Sequence, residues 1–211
     1  MAITLLSLNT GAVGRLGLEK GQTGIAKRPA HGPLELTRTG LEGDASDYRP
    51  RDLGDTALHA FAIENYRRFQ ELAGRPFDVP TFGENLTLEG YTDEDARIGD
   101  VLRVGTARVR VTQPVVRCRW PGRLSGEPRL AKWAMAEART GFFLEVLEPG
   151  TVAPGAPVSL VERGDAAWTV ARLTRLLMDR RRAAPDVAAA LALPLLAERW
   201  KGELREEVAP A

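Results

Sequence analysis

The chain has 211 residues, 44% of them hydrophobic and 27% charged, with a formal net charge of +1. It is long enough to bury a real core, as one domain or as a domain with a small appendage, and its charge excludes bulk electrostatic binding to nucleic acid or an anionic membrane. One cysteine excludes an internal disulfide framework and fits a reducing compartment, and no apolar run approaches the length of a membrane span. Met1-Ala2-Ile3-Thr4-Leu5-Leu6-Ser7 lacks the basic leader and apolar stretch of a signal peptide, so a soluble cytoplasmic protein is expected. Only four of 29 basic residues are lysines, which fits either base composition or arginines chosen to grip phosphate and carboxylate with a planar fork.

Ile3 to Leu8 reads as a largely buried strand that ends at Asn9-Thr10-Gly11. Gly11 to Gly32 is glycine-rich and aperiodic, hence loop, and carries Gly24-Ile25-Ala26-Lys27-Arg28-Pro29. Leu34-Glu35-Leu36-Thr37 alternates like a half-buried strand and leads to the turn Gly40-Leu41-Glu42-Gly43-Asp44. Asp55 is placed to cap a helix running to Leu72, with Ala57, Leu58, Phe61, Ala62, Tyr66 and Phe69 mostly on one face and Gly74-Arg75-Pro76 as its end. His59 falls outside that apolar series, as an exposed or capped helix histidine would. Val101–Val104 and Ala107–Thr112 form a hairpin about Gly105-Thr106, with Val109 and Val111 on one face and Arg108 and Arg110 on the other. Pro121 to Gly126 reads as loop, Pro128 to Arg139 as helix, and Gly141 to Leu147 and Val158 to Val161 as strands. From Trp168 the chain turns rich in Ala, Leu and Arg and predicts three short helices bounded by Pro185 and Pro194. Many short strands with close turns predict an α+β, mainly β, barrel-like domain over 1–163 and a three-helix extension over 164–211.

The chemistry-bearing residues are few. No glycine loop of the phosphate-binding or dinucleotide type follows a strand, and Cys-x-x-Cys, His-x-x-x-His and Gly-x-Ser-x-Gly are all absent. Cys118 stands out, between Arg117 and Arg119, because adjacent positive charge favours the thiolate. Three readings stand open: a small buried hydrophobe, a nucleophile paired with His31 or His59, or a soft-metal ligand on a loop after a strand.

The ordered set Phe82-Gly83-Glu84-Asn85-Leu86-Thr87-Leu88-Glu89-Gly90, Ile98-Gly99-Asp100-Val101-Leu102-Arg103-Val104-Gly105, Val111-Thr112-Gln113-Pro114 with Cys118, and Thr140-Gly141-Phe142-Phe143-Leu144-Glu145-Val146-Leu147-Glu148-Pro149-Gly150 resembles the MOSC domain. Gly24 to Pro29 and Gly40 to Asp44 extend the match, and Trp168-Thr169-Val170-Ala171-Arg172-Leu173 resembles the start of the three-helix extension of the bacterial, YiiM-like branch. The resemblance implies a MOSC-type β-barrel with peripheral helices and a molybdenum cofactor (Mo-molybdopterin), with Cys118 as the protein's sulfur ligand to the metal. It points to Lys27, Arg28, Arg117 and Arg119 as cations for the pterin phosphate, and to Glu84, Asn85 and Thr87 as cofactor-binding groups, Glu84 and Asn85 either hydrogen-bonding the pterin's amide edges or simply capping a turn. The implied activity is reduction of N-hydroxylated compounds, such as hydroxylamino purines, to amines. Nothing in the sequence would hold a flavin or an iron–sulfur cluster, so electrons would come from a separate protein; the helical tail offers a surface for a homodimer. The sequence departs from the family where a His-Gly-Gly is usual, with Arg51-Asp52-Leu53 in its place, and around the thiol, where Arg117 and Trp120 replace the usual Pro and Lys. Those departures motivate the alternative of a non-catalytic cofactor-binding or carrier module of the same fold.

Overall fold

The structure, a computed structural model, describes residues 2–14, 23–45, 54–115, 119–179 and 181–206. Among them, seven strands close into a barrel in the order β11 (Pro157–Glu162), β7 (Val101–Val104), β8 (Ala107–Pro114), β9 (Phe142–Glu148), β5 (Leu58–Ala62), β6 (Leu86–Glu89) and β1 (Ile3–Thr10), with β1 pairing back onto β11. The two-residue strand β2 (Arg28–Pro29) extends this sheet beyond the end of β1, and β3 (Leu34–Thr37), β4 (Gly40–Leu41) and β10 (Gly150–Val152) form a separate small sheet. Only β5 and β6 pair in parallel; α1 (Ile63–Ala73) begins the connection between them. The rest of the barrel is antiparallel, which is what short connections between neighbouring strands favour.

The hairpin of β7 and β8 forms as its alternation predicts. Ala107, Val109 and Val111 point into the barrel, whereas Arg108 and Arg110 lie outside and pair with Glu148, Glu162 and Glu145. The helix expected from Asp55 to Leu72 does not form as one piece. Asp55 belongs to a single 3-10 turn, Gly54–Thr56, and Leu58–Ala62 is strand β5; only from Ile63 does the chain become helical. The cause is burial on both faces. Leu58 and Ala60 face the barrel core, while Phe61 faces a second cluster with Tyr66, Phe69, Phe77, Phe82, Leu130 and Ala134. A strand covered on both sides loses its alternation, and its apolar residues then count equally well toward a helix face. His59 is therefore a buried strand residue, not an exposed helix residue.

The stretch after the thiol departs in the opposite sense. Pro121 to Gly126, expected as loop, lies largely in helix α2 (Trp120–Ser125); Pro121 is tolerated in its first turn, where no backbone donor is needed, and Gly126 closes it in the left-handed region at φ 70°. Helix α3 (Leu130–Ala136) follows. The C-terminal helices α4 (Val170–Met178), α5 (Ala184–Leu191) and α6 (Glu198–Glu206) are too short to stand alone. They bury Trp168, Leu173, Leu176, Val187, Leu196, Trp200 and Leu204 in the same cluster as the barrel interior. A polar latch ties their root to the barrel: buried Asp100 accepts from the Gly164 amide (2.7 Å), from Arg163 (2.9 Å) and from the Tyr91 hydroxyl. No helix among the described residues is long and apolar enough to cross a membrane.

Candidate active site

Strand register lines up one row of side chains across the barrel wall. Gln113 of β8 pairs with Phe143 of β9, and Phe143 pairs with His59 of β5. The Asn85 amide donates to His59 O (2.8 Å), the Asn9 amide donates to Asn85 O (2.7 Å), and Asn9 pairs with Pro29 of β2. Because Leu8, Leu58, Ala60, Leu86, Phe142 and Leu144 belong to the core inside the barrel, the alternate residues of this row lie on its outer face. His59 packs there between Phe61 (centroids 6.0 Å apart) and Phe143 (5.7 Å).

Backbone contacts flank this row. Gly11 O accepts from the Ala45 amide (2.9 Å), Asp55 O accepts from Thr112 Oγ1 (2.6 Å), and the Val115 amide donates to Gly141 O (3.1 Å). Val115 thus hands the chain on toward Cys118 from a point against Gly141, and Gly141 touches His59. Cys118, Arg117 and the Arg51-Asp52-Leu53 departure lie outside the described residues.

The remaining expected site residues divide into two groups. Lys27 and Asn85 meet through Asp44, the last residue of the Gly40–Asp44 turn. The Lys27 ammonium pairs with Asp44 Oδ1, which also accepts from the Gly11 amide (3.1 Å), and Asn85 Nδ2 donates to Asp44 Oδ2 (2.9 Å) and to Asn9 O (3.2 Å). Asn85 Oδ1 in turn accepts from the His59 amide (3.0 Å), so Asn85 pins the ends of β1 and β5 together. Arg28 is exposed beside this network, opposite Thr10, and Arg119 is exposed with its guanidinium 4.9 Å above the Trp120 ring. Glu84 and Thr87 behave differently. Both are fully buried and face each other: Glu84 Oε1 accepts from Thr87 Oγ1 (3.1 Å) and from the Tyr66 hydroxyl (2.7 Å), and Oε2 accepts from the Phe82 amide (3.1 Å). Burial, and then the Glu84 carboxylate, push the Tyr66 phenol well above its ordinary pKa, so it stays a donor. Glu84 and Thr87 thus brace the Phe82–Thr87 turn from within. His31 is exposed, between β2 and β3.

Two further contributors were not legible in the sequence. Buried Asp93 accepts from the Gly141 amide (2.7 Å) and from Asn65 Nδ2 (2.7 Å), fixing Gly141 against the row. Gln113 Nε2 donates to Asp55 Oδ2 (3.0 Å), which roots the 3-10 turn on β8. Gly141 itself has no room for a side chain. Its φ is +70°, and an added Cβ would lie 2.6 Å from Ala60 O, 2.7 Å from the Phe61 ring and 2.8 Å from His59 Nε2. Gly141→Ala is therefore expected to cost about 2–4 kcal/mol, from left-handed strain plus overpacking. Urea unfolding checks this; an unchanged midpoint would show that the row yields easily.

The barrel thus carries a polar row on its outer wall, and Val115, three residues before the lone cysteine, is held against it through Gly141. Residues 30–159 match the family model described as MOSC domain, and the chain belongs to that family, with the YiiM-like members. It is 33% identical to YflK of Bacillus subtilis (strain 168) over 207 residues, covering 97% of this chain and 94% of that one. It is 35% identical to YiiM of Escherichia coli (strain K12) over 144 residues, 66% of this chain and 64% of that one. The crystal structure of YiiM from Geobacillus stearothermophilus superposes with a TM-score of 0.83 at 29% identity, covering 98% of this chain and 100% of the other. A protein of Gibberella moniliformis (strain M3125 / FGSC 7600) named Reductase is 29% identical over 182 residues, 83% of this chain but only 32% of the fungal protein.

Proposed function

We propose that this protein is a molybdenum-cofactor-dependent reductase of N-hydroxylated compounds, with Cys118 as the thiolate ligand. The observation that carries the reading is the rooting of the Cys118 segment: the Val115 amide is bonded to Gly141 O, and Gly141 abuts His59 on the polar outer row. A wall of imidazole, amide and aromatic groups is suited to a planar, hydrogen-bonding ligand, and a cysteine thiolate to a soft metal. Membership of the MOSC family and similarity to a protein named Reductase point the same way.

The donor set fits an anionic cofactor in a specific way. Exposed Arg28 and Arg119 are suited to a phosphate, which a guanidinium grips with two parallel bonds. Lys27 contributes less directly, because its ammonium faces Asp44. Asn85 positions the ends of β1 and β5 around the site. His59 brings an imidazole, able to give or accept a proton, to the same row. Bound there, the cofactor supplies a two-electron centre for the balanced change R–NHOH + 2e⁻ + 2H⁺ → R–NH₂ + H₂O.

The test is anaerobic turnover of 6-hydroxylaminopurine by protein purified from a host that makes the cofactor, with reduced methyl viologen as donor. Steady formation of adenine is expected. Cofactor-loaded protein that binds the base and forms no amine would instead make it a carrier module.

A further inference from the structure

The surface of α2 and α3 is strongly cationic in a chain that is nearly neutral. From Arg119 to Trp133 the sequence carries Arg119, Arg123, Arg129 and Lys132 against the single carboxylate Glu127, a local charge of +3 in a chain of net +1. Arg119 and Arg123 are one helical turn apart, the Arg123 amide donating to Arg119 O (3.0 Å). Arg75 joins them from the end of α1, donating to Ser125 O (2.8 Å). All five cations are exposed. Glu127 is buried and gripped by Arg129 through bonds of 2.7 and 2.9 Å, which hold its carboxyl down at about 2, so it stays ionised and paired instead of facing solvent.

Three of the guanidiniums lie over aromatic rings: Arg75 on Phe77 (4.8 Å), Arg119 on Trp120 (4.9 Å) and Arg129 on Trp133 (4.6 Å). Such stacking holds long side chains in place before a partner arrives, which lowers the ordering cost of binding. Arg and Trp together are also the residues that dominate protein interfaces. Trp120 is buried and Trp133 carries Arg129 on its face, an arrangement that suits an acidic protein surface better than the base stacking of a nucleic acid.

We propose that the α2–α3 face docks an acidic electron-donor protein. This rests on the reductase reading, in which two electrons come from another chain to the metal centre that Cys118 would hold, and Arg119 is the residue next to Cys118. A donor seated on residues 119–133 is steered by charge to the part of the surface nearest, along the chain, to the metal ligand.

The experiment compares two donors in turnover of 6-hydroxylaminopurine: photoreduced flavodoxin, an acidic protein, and reduced methyl viologen, a small cation. With flavodoxin, kcat/KM is expected to fall about tenfold or more from low to high salt. Arg123→Glu/Lys132→Glu is expected to lose about tenfold with flavodoxin at low salt and to keep the viologen rate. A salt-independent flavodoxin rate, an equal rate for the variant, or no flavodoxin-driven turnover while viologen works would overturn the proposal. So would a single-stranded oligonucleotide that binds this face without slowing flavodoxin. Absence of viologen turnover in the wild type removes the reductase reading itself, an outcome distinct from all of these.

Discussion

Glu84→Ala is expected to lower the melting temperature by roughly 10 °C, the largest stability effect among single substitutions around the site. The carboxylate is fully buried and accepts from the Tyr66 hydroxyl, the Thr87 hydroxyl and the Phe82 amide. Removing it leaves three buried donors without that acceptor and opens a small void. Breaking a buried charged network in this way costs about 3–5 kcal/mol, and a chain of this length loses about 2–4 °C per kcal/mol. Glu84→Gln keeps the shape but turns an amide donor toward other donors, so an intermediate loss is expected. Tyr66→Phe removes the strongest of the orphaned donors, and the double variant Tyr66→Phe/Glu84→Ala is expected to be less destabilised than the sum of the two single changes. Differential scanning calorimetry measures all four proteins. A Glu84→Ala protein that melts like the wild type would show that this buried network does not stabilise the fold.

The direction of the Glu84 side chain separates what was legible in the sequence from what was not. The Phe82–Thr87 motif is plain as a string, but a string does not say which way a carboxylate points. Glu84 turns inward because Tyr66, eighteen residues earlier, offers its hydroxyl from α1 at 2.7 Å. The β7–β8 hairpin and β9 were readable because one face of each alternates and their turns carry glycine. Strand β5 was not, since Phe61 and His59 are covered on the outer face as thoroughly as Leu58 and Ala60 are inside the barrel. Barrel closure left no local signal at all: β1 meets β11 through Ile3 with Val158 and Thr4 with Pro157, from opposite ends of the barrel sequence. The site follows the same rule. The thiol and its neighbouring cations were visible as residue types, whereas Asn9, Asp44, Asp93 and Gly141 acquire a role only when register and hydrogen bonds bring them to the His59–Asn85 row. The arginine excess also resolves in part into structure: Arg75, Arg119, Arg129 and Arg172 stack on aromatic rings, and Arg108 bridges two carboxylates. Lysine, a point charge on a flexible stem, would serve those positions less well.

A reductase of this kind needs Cys118 as a metal ligand. A cysteine thiolate is a soft ligand suited to such a metal, and Cys118→Ala removes the one cysteine of the chain. The direct measurement is molybdenum per chain, by plasma mass spectrometry, in wild type and Cys118→Ala purified side by side from a host that makes the cofactor, with circular dichroism to establish that both are folded. Molybdenum approaching one atom per chain is expected in the wild type, and close to none in folded Cys118→Ala. Equal molybdenum in the two proteins, or none in either, would contradict it.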